Sequence, residues 1–295
     1  MLKTVSVRCR PLAEDEHLRV AAFLHELSLM GCRLVASDKR ANESMLVDRA
    51  DVLPPEKEYL ESELVVVFGG DGTIIKAARE FAPFGVPVLG VNMGHLGYLA
   101  ELEVSETELV RRIVQGDFHT DDRIMLDVRI ERPDETVRPA RPVLNDAVLS
   151  NGPVPRILNF DLYCDGVLAQ ANRSDGMILA TPTGSTAYSM SAGGPVADPA
   201  LDIIISTPIC PHSLQQRPVL YSGNSVLEFR SASCRENSVF LTLDGDETFH
   251  INECDRVIIE KSPVRAKLVR VKDQGFLDIL SRKMSKYRAS ASKSN

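Results

Sequence analysis

No apolar run in this 295-residue sequence approaches the ~20 residues that a membrane-spanning helix requires. The N-terminus, MLKTVSVRCRP, carries charges where a signal peptide places its apolar segment, so cytoplasmic residence is the expectation. The six cysteines (Cys9, Cys32, Cys164, Cys210, Cys234 and Cys254) form no CxxC pair and no Cys/His spacing suited to zinc. They read as small buried residues or idle thiols. Basic residues are too few to attract a nucleic-acid backbone: 34 stand against 41 acidic ones, for a net charge of −7. A local basic site for a small phosphate ligand stays open. There is no GxSxG elbow, and the histidines pair with no Ser or Cys by motif, which leaves no sign of nucleophilic catalysis. No internal repeat is present.

What is there is an ordinary globular composition, 44% hydrophobic and 25% charged, in a chain long enough for two domains. From Thr4 to about Gly116, short apolar strands alternate with amphipathic helices, the pattern of a Rossmann-like parallel α/β domain. Thr4–Arg8 reads as a strand, followed by a helix with Val20, Phe23, Leu24 and Leu27 on one stripe. Leu64–Phe68 is apolar throughout, as in a strand buried on both faces, and 86-VPVLGV-91 reads the same way. Between them Ile74, Ala77, Ala78 and Phe81 mark a helix. A further helix opens on the capping box Ser105-x-x-Glu108 and ends near Gly116.

Beyond about Arg123 the period becomes two, with Ile124, Leu126, Val128 and Ile130 on one face. The strands 158-LNFDLY-163 and 239-VFLTL-243 lead into Asp165-Gly166 and Asp244-Gly245, dipeptides suited to tight hairpins. The expected organisation is an α/β domain over 1–118, a β-rich, mostly antiparallel domain over 119–270, and a C-terminal helix with a disordered tail over 271–295. Phe276, Ile279 and Leu280 form the face by which that helix packs back.

A strand feeding Gly69-Gly70-Asp71-Gly72-Thr73 and then a helix presents backbone amides and a positive helix terminus, which together attract phosphate. Thr73 is the expected N-cap. Asp71 stands out, because a carboxylate beside phosphates repels them unless it meets a metal or takes a proton from an attacking hydroxyl. Two readings stay open for it: general base, or a capping residue in a tight turn. Lys76, one turn into the helix, is a candidate phosphate contact or a solvated lysine. The loop is neither a P-loop nor a GxGxxG fingerprint.

The stretch 174-SDGMILATPTGSTAYSMSAGGP-195 clusters hydroxyls and glycines with no charge between Asp175 and Pro195. Such a loop buries Thr181, Thr183, Ser185, Thr186 and Ser189 against a polar ligand. Tyr188 suits stacking on a heteroaromatic ring or a domain interface, and Asp175 suits accepting from an amide or ribose or a turn before Gly176. Asn145 and Asp146, adjacent in the apolar run 143-VLNDAVL-149, point to opposite strand faces, so one meets the core unless a ligand satisfies it.

Taken together, 69-GGDGT-73, 92-NMGHLGYL-99, 145-ND-146, 175-DGMILATPTGSTAYSMSAGGPV-196 and 209-ICPHSLQQRPVL-220 resemble bacterial NAD kinases in identity, order and spacing, over essentially the whole chain. The resemblance implies phosphorylation of the adenosine-ribose 2′-hydroxyl of NAD by ATP, or by polyphosphate in some members. It also implies a divalent metal such as Mg²⁺ and a homo-oligomer, dimer or tetramer, and names no metal ligand. Carried over by position, Asp71 becomes the proton acceptor and Gly72 a neighbouring contact. Asn145 and Asp146 hold the dinucleotide, with Arg156, Arg173, Asp175 and the run Thr186, Ala187, Tyr188, Ser189, Met190 and Ser191; Asp175 is the residue that would serve a neighbouring subunit. Many relatives carry Glu at Asp146 and Gln near Asp246, which leaves a contact from Asp246 in doubt. The expected picture is a phosphate cradle on the α/β half and a dinucleotide site on the β half, with Asp71 at their meeting point.

Two rivals remain on the sequence alone. A lipid kinase of the diacylglycerol type shares the GGDGT loop, but is not expected to carry the TPTGSTAYSMSAGGP run or to lack a membrane-facing surface. A non-catalytic dinucleotide sensor gains nothing from an acidic residue within its phosphate loop.

Overall fold

Apolar segments such as 64-LVVVF-68 and 88-VLGVN-92 have no stable place except between covering layers, and they lie in the parallel sheet of the first of two units. In a computed structural model, residues 1–37, 50–94, 97–133, 141–152, 157–213, 215–231, 239–252 and 254–291 are described. The first unit comprises Met1–Asp122 with Ala266–Asn295, and the second Arg123–Arg265.

Strand β1 (Thr4–Cys9) leads into α1 (Glu14–Leu29), whose Val20, Phe23, Leu24 and Leu27 are all buried. β2 (Arg33–Ser37), β3 (Asp51–Leu53) and α2 (Pro55–Glu61) precede β4 (Leu64–Phe68), which is buried at every position. Helix α3 (Asp71–Phe81) follows directly, then β5 (Val88–Asn92), the short β6 (Leu102–Glu103) and α4 (Val110–Gln115). The strands run in the order β5-β4-β1-β2-β3, all parallel, with β6 pairing parallel to β5. Phe23 meets Phe68 edge to face at 5.3 Å, and truncating such a buried aromatic costs about 3–5 kcal/mol. The loop after Phe68 therefore starts from a fixed origin.

Two local expectations fail here. The strand read from Val86 begins at Val88. The capping box at Ser105 and Glu108 does not form: a 3₁₀ turn over Thr107–Leu109 tightens the entry to α4, and the Glu106 carboxylate accepts the Glu103 amide at 2.8 Å instead. Gly116 does adopt the left-handed conformation, at φ 79°, that ends α4.

In the second unit, β7 (His119–Glu131) buries Ile124, Leu126, Val128 and Ile130 as expected, but Met125 is fully buried as well, so the alternation lapses there. β8 (Arg141–Val143) pairs with it antiparallel. β9 (Asp146–Asn151), β10 (Leu158–Cys164), β11 (Val167–Ser174), β12 (Gly176–Ala180) and the single-turn helix α5 (Tyr188–Ser191) follow. β13 (Ile203–Ile209), β14 (Val219–Ser222), β15 (Leu227–Ser231), β16 (Val239–Leu243), β17 (Glu247–Ile251) and β18 (Arg256–Arg270) complete the strands. One antiparallel sheet has the order β14-β13-β12-β9-β16-β17; β11, β10, β15 and β18 pair antiparallel in the other. Leu149, Met177 and Leu179 share a core with Phe160, Phe229 and Ile259. Both expected hairpins form, with Asp165-Gly166 at φ 51° and 80° and Asp244-Gly245 at φ 48° and 68°.

β18 ends back in the first unit, where Leu268 pairs parallel with Val88. The last helix, α6 (Phe276–Ala291), turns Phe276, Ile279 and Leu280 half-buried to one side, and runs through Ala289, Ser290 and Ala291, the first residues of the 289-ASASKSN-295 stretch expected to be disordered. Residues 292–295 lie outside the described residues.

Candidate active site

In the first unit the GGDGT loop is tied to its neighbour strand by the Gly69 amide, which donates to Val91 at 3.0 Å. Gly70 is the N-cap of α3, so Asp71, Gly72 and Thr73 form its first turn. The expected N-cap role of Thr73 is thereby displaced. Its amide donates to the Gly70 carbonyl at 3.0 Å, and its side chain fills the space above Gly69, where a Cβ would come within 2.7 Å of the Thr73 hydroxyl.

Asp71 does not cap its own helix. Its Oδ2 accepts the Tyr98 amide at 2.8 Å and its Oδ1 the Leu99 amide at 3.1 Å. The approach depends on Gly97, at which a Cβ would stand 2.2 Å from Asp71 Oδ1. Lys283 of α6 brings its Nζ to 3.9 Å from Asp71 Oδ2 and 3.7 Å from the centroid of the Tyr98 ring. Lys76 is half-buried on α3, and Gly70 and Gly72 are exposed at its head. The Tyr98 and Leu99 amides and Lys283 are the partners that the sequence reading missed. A signal existed for the lysine: Lys283 continues the stripe Phe276, Ile279, Leu280 at the i+7 position.

The second unit gathers Asn145, Asp146 and the loop from Thr181. Asp244, read from sequence only as a hairpin residue, accepts the amides of Leu144, Asn145 and Asp146 at 2.9, 2.8 and 3.0 Å. Asp146 is buried, at 5% exposure, and Asn145 half-buried. Burial, reinforced by the Asp244 charge, pushes the Asp146 carboxyl up to about 7. The Asn145 carbonyl accepts the Thr181 amide at 2.8 Å; a Cβ on Gly184 would lie 2.1 Å from that oxygen, so only glycine lets the two segments close together.

The buried hydroxyls also find partners within the protein. Thr181, Thr183, Ser185 and Ser189 are partnered by protein, because each lies within reach of a polar group of its own unit. Thr181 donates to the Leu144 carbonyl at 2.6 Å, Ser185 donates to the Pro182 carbonyl at 2.6 Å and accepts the Ala197 amide at 3.0 Å, and Ser189 pairs with Thr207 at 2.9 Å. Arg123 donates to the Thr183 hydroxyl at 3.2 Å. Thr186, Ala187 and Met190 are half-buried, while Tyr188 and Ser191 are exposed. Asp175, half-buried, joins β11 to β12, and Arg173 beside it is exposed. Asp246 is exposed in the hairpin; Arg156 lies outside the described residues.

Among the described residues no three His, Cys, Asp or Glu side chains come together as a metal cage. No helix among them is long and apolar enough to cross a membrane.

The ATP-NAD kinase N-terminal domain model matches residues 16–118, and the ATP-NAD kinase C-terminal domain model residues 144–271. An NAD kinase of Carboxydothermus hydrogenoformans is 42% identical over 245 residues, 83% of this chain and 86% of that protein. One of Symbiobacterium thermophilum is 39% identical over 277 residues, covering 92% and 96%. In fold the chain is similar to a yeast NADH kinase complexed with NADH, with a TM-score of 0.85 at 24% identity over 96% of this chain and 88% of that one. It is also similar to an NAD kinase from Archaeoglobus fulgidus in complex with ATP, with a TM-score of 0.68 at 23% identity over 92% and 94%. With both halves matched in order and relatives aligned over most of their length, the chain belongs to the ATP-NAD kinase family.

Proposed function

We propose that this chain is an NAD kinase, transferring the γ-phosphoryl group of ATP to the 2′-hydroxyl of the adenosine ribose of NAD and releasing NADP and ADP. The observation that carries the mechanism is the Asp71 carboxylate, fixed by the Tyr98 and Leu99 amides at the head of α3. Each carboxylate oxygen that accepts one amide keeps a second lone pair, so Asp71 can take the hydroxyl proton without losing its anchors. The ribose oxygen then forms its bond to the γ-phosphorus as the bond to the β,γ-bridging oxygen breaks and ADP leaves. The amides at the head of α3, Gly72 among them, offset the phosphate charge.

Asn145 and Asp146 hold the dinucleotide, with Arg156, Arg173, Asp175 and the residues from Thr186 to Ser191. The buried hydroxyls of Thr181 and Ser185 support this set from behind through protein partners. A divalent cation such as Mg²⁺ would offset charge on the donor phosphates. We further propose a homo-oligomer acting in the cytoplasm.

The match of residues 144–271 to the C-terminal domain model is what the lipid-kinase reading does not supply. Incubation of the purified chain with ATP, Mg²⁺ and NAD tests the function: NADP formation is expected. NAD binding with no NADP from any donor would return the sensor reading.

A further inference from the structure

A carboxylate and a triphosphate are poor neighbours, yet the proposed reaction puts both at the head of α3. Lys283 answers the conflict. Its Nζ lies 3.9 Å from Asp71 Oδ2, and its side chain is 15% exposed against 30% for Asp71. The ammonium also sits 3.7 Å from the centroid of the Tyr98 ring, whose negative face attracts a cation. The aliphatic stem lies on the stripe that Phe276, Ile279 and Leu280 turn inward.

A lysine on a half-buried stripe is costly to keep for docking alone, because an apolar residue fills the same place without losing hydration. Burial does lower the Lys283 pKa, and the charge of Asp71 opposes that fall. Lys283 from α6 and Asp71 on α3 form the charged pair, and Tyr98 is the titratable group that meets Lys283.

We propose that Lys283 is a positioning residue that offsets the Asp71 charge, so that the carboxylate and the donor phosphates occupy one site. The proposal rests on the reading of Asp71 as the residue beside the phosphoryl group. It assigns α6 a part in donor binding that neither the GGDGT loop nor the dinucleotide residues supply.

The test is a double-mutant cycle on binding of the non-hydrolysable ATP analogue AMP-PNP with Mg²⁺, using the full chain. Lys283→Met keeps the stem and removes the charge, and is expected to weaken binding about three- to tenfold, while Lys283→Arg stays within about twofold. In an Asp71→Asn background the same Lys283→Met change is expected to alter binding less than about twofold, because no charge is left to offset. Equal weakening in both backgrounds, no weakening in either, or a loss that Lys283→Arg does not rescue would overturn the proposal. The reading of Asp71 as base fails separately, if Asp71→Asn keeps near wild-type kcat; the binding cycle still reads the pair in that event.

Discussion

Asp244 and Asp146 hold each other from both ends: the Asp244 carboxylate accepts the Asp146 amide at 3.0 Å, and the Asp244 amide donates to the Asp146 carbonyl at 2.9 Å. The same carboxylate also takes the amides of Leu144 and Asn145, so a hairpin tip sets the backbone on which the proposed dinucleotide residues stand.

Asp244→Ala strips three amides of their acceptor. A buried unsatisfied donor costs about 1–3 kcal/mol, and water relieves part of it at this half-buried tip, so a loss of about 2–4 kcal/mol is expected by urea unfolding. KM for NAD rises in the same variant. A loss below about 1 kcal/mol would show that these bonds add little over solvation.

Asp146 makes stability depend on pH. Its carboxyl titrates near 3.8 when solvated and at about 7 in the folded chain. The raised value means that its favourable contribution is complete below pH 3.8, fades as pH rises toward 7, and is absent above. Asp146→Asn removes this dependence, so the variant gains stability over wild type at pH 8 and not at pH 3.5. Urea midpoints at the two values check it. If Asp146 holds the dinucleotide as proposed, the same change weakens NAD binding at pH 8.

Asp71→Asn retains NAD binding and loses kcat by about 10²–10⁴, the range for a removed general base. Steady-state kinetics beside NAD titration reads both. Near wild-type kcat would take Asp71 out of the base role.

Gly97→Ala places a methyl 2.2 Å from Asp71 Oδ1, a distance no Cβ tolerates, so the carboxylate must move. A displacement near 1 Å costs about 10² in rate when the moved group does the chemistry, so kcat falls, and the thermal midpoint falls with the lost amide bonds. Wild-type kcat in this variant would mean that the Tyr98 and Leu99 amides are not what aims Asp71.

The parts legible in the sequence were those encoded locally. The burial of Leu64–Phe68, the stripe of α1 and the two Asp-Gly hairpins follow from residues a few positions apart. The strand alternation in 143-VLNDAVL-149 foresaw that one of Asn145 and Asp146 meets the core, and it is Asp146. Long-range choices were not legible. Nothing near Asp71 says that its oxygens go to Tyr98 and Leu99 or that Lys283 faces it. The protein partners of the Thr181, Ser185 and Ser189 hydroxyls were illegible for a related reason: a buried hydroxyl asks for a partner, and composition does not say which group supplies it. The capping box failed on a shorter scale, where a 3₁₀ turn takes its place and Glu106 reaches back to the Glu103 amide.

Ser185, between the Pro182 carbonyl and the Ala197 amide, ties both ends of its segment together without any ligand. The loss of chain freedom in that segment therefore falls within folding, and a dinucleotide bound there as proposed would meet a surface already ordered. Association governed by encounter, with little refolding of this segment, is the kinetic consequence.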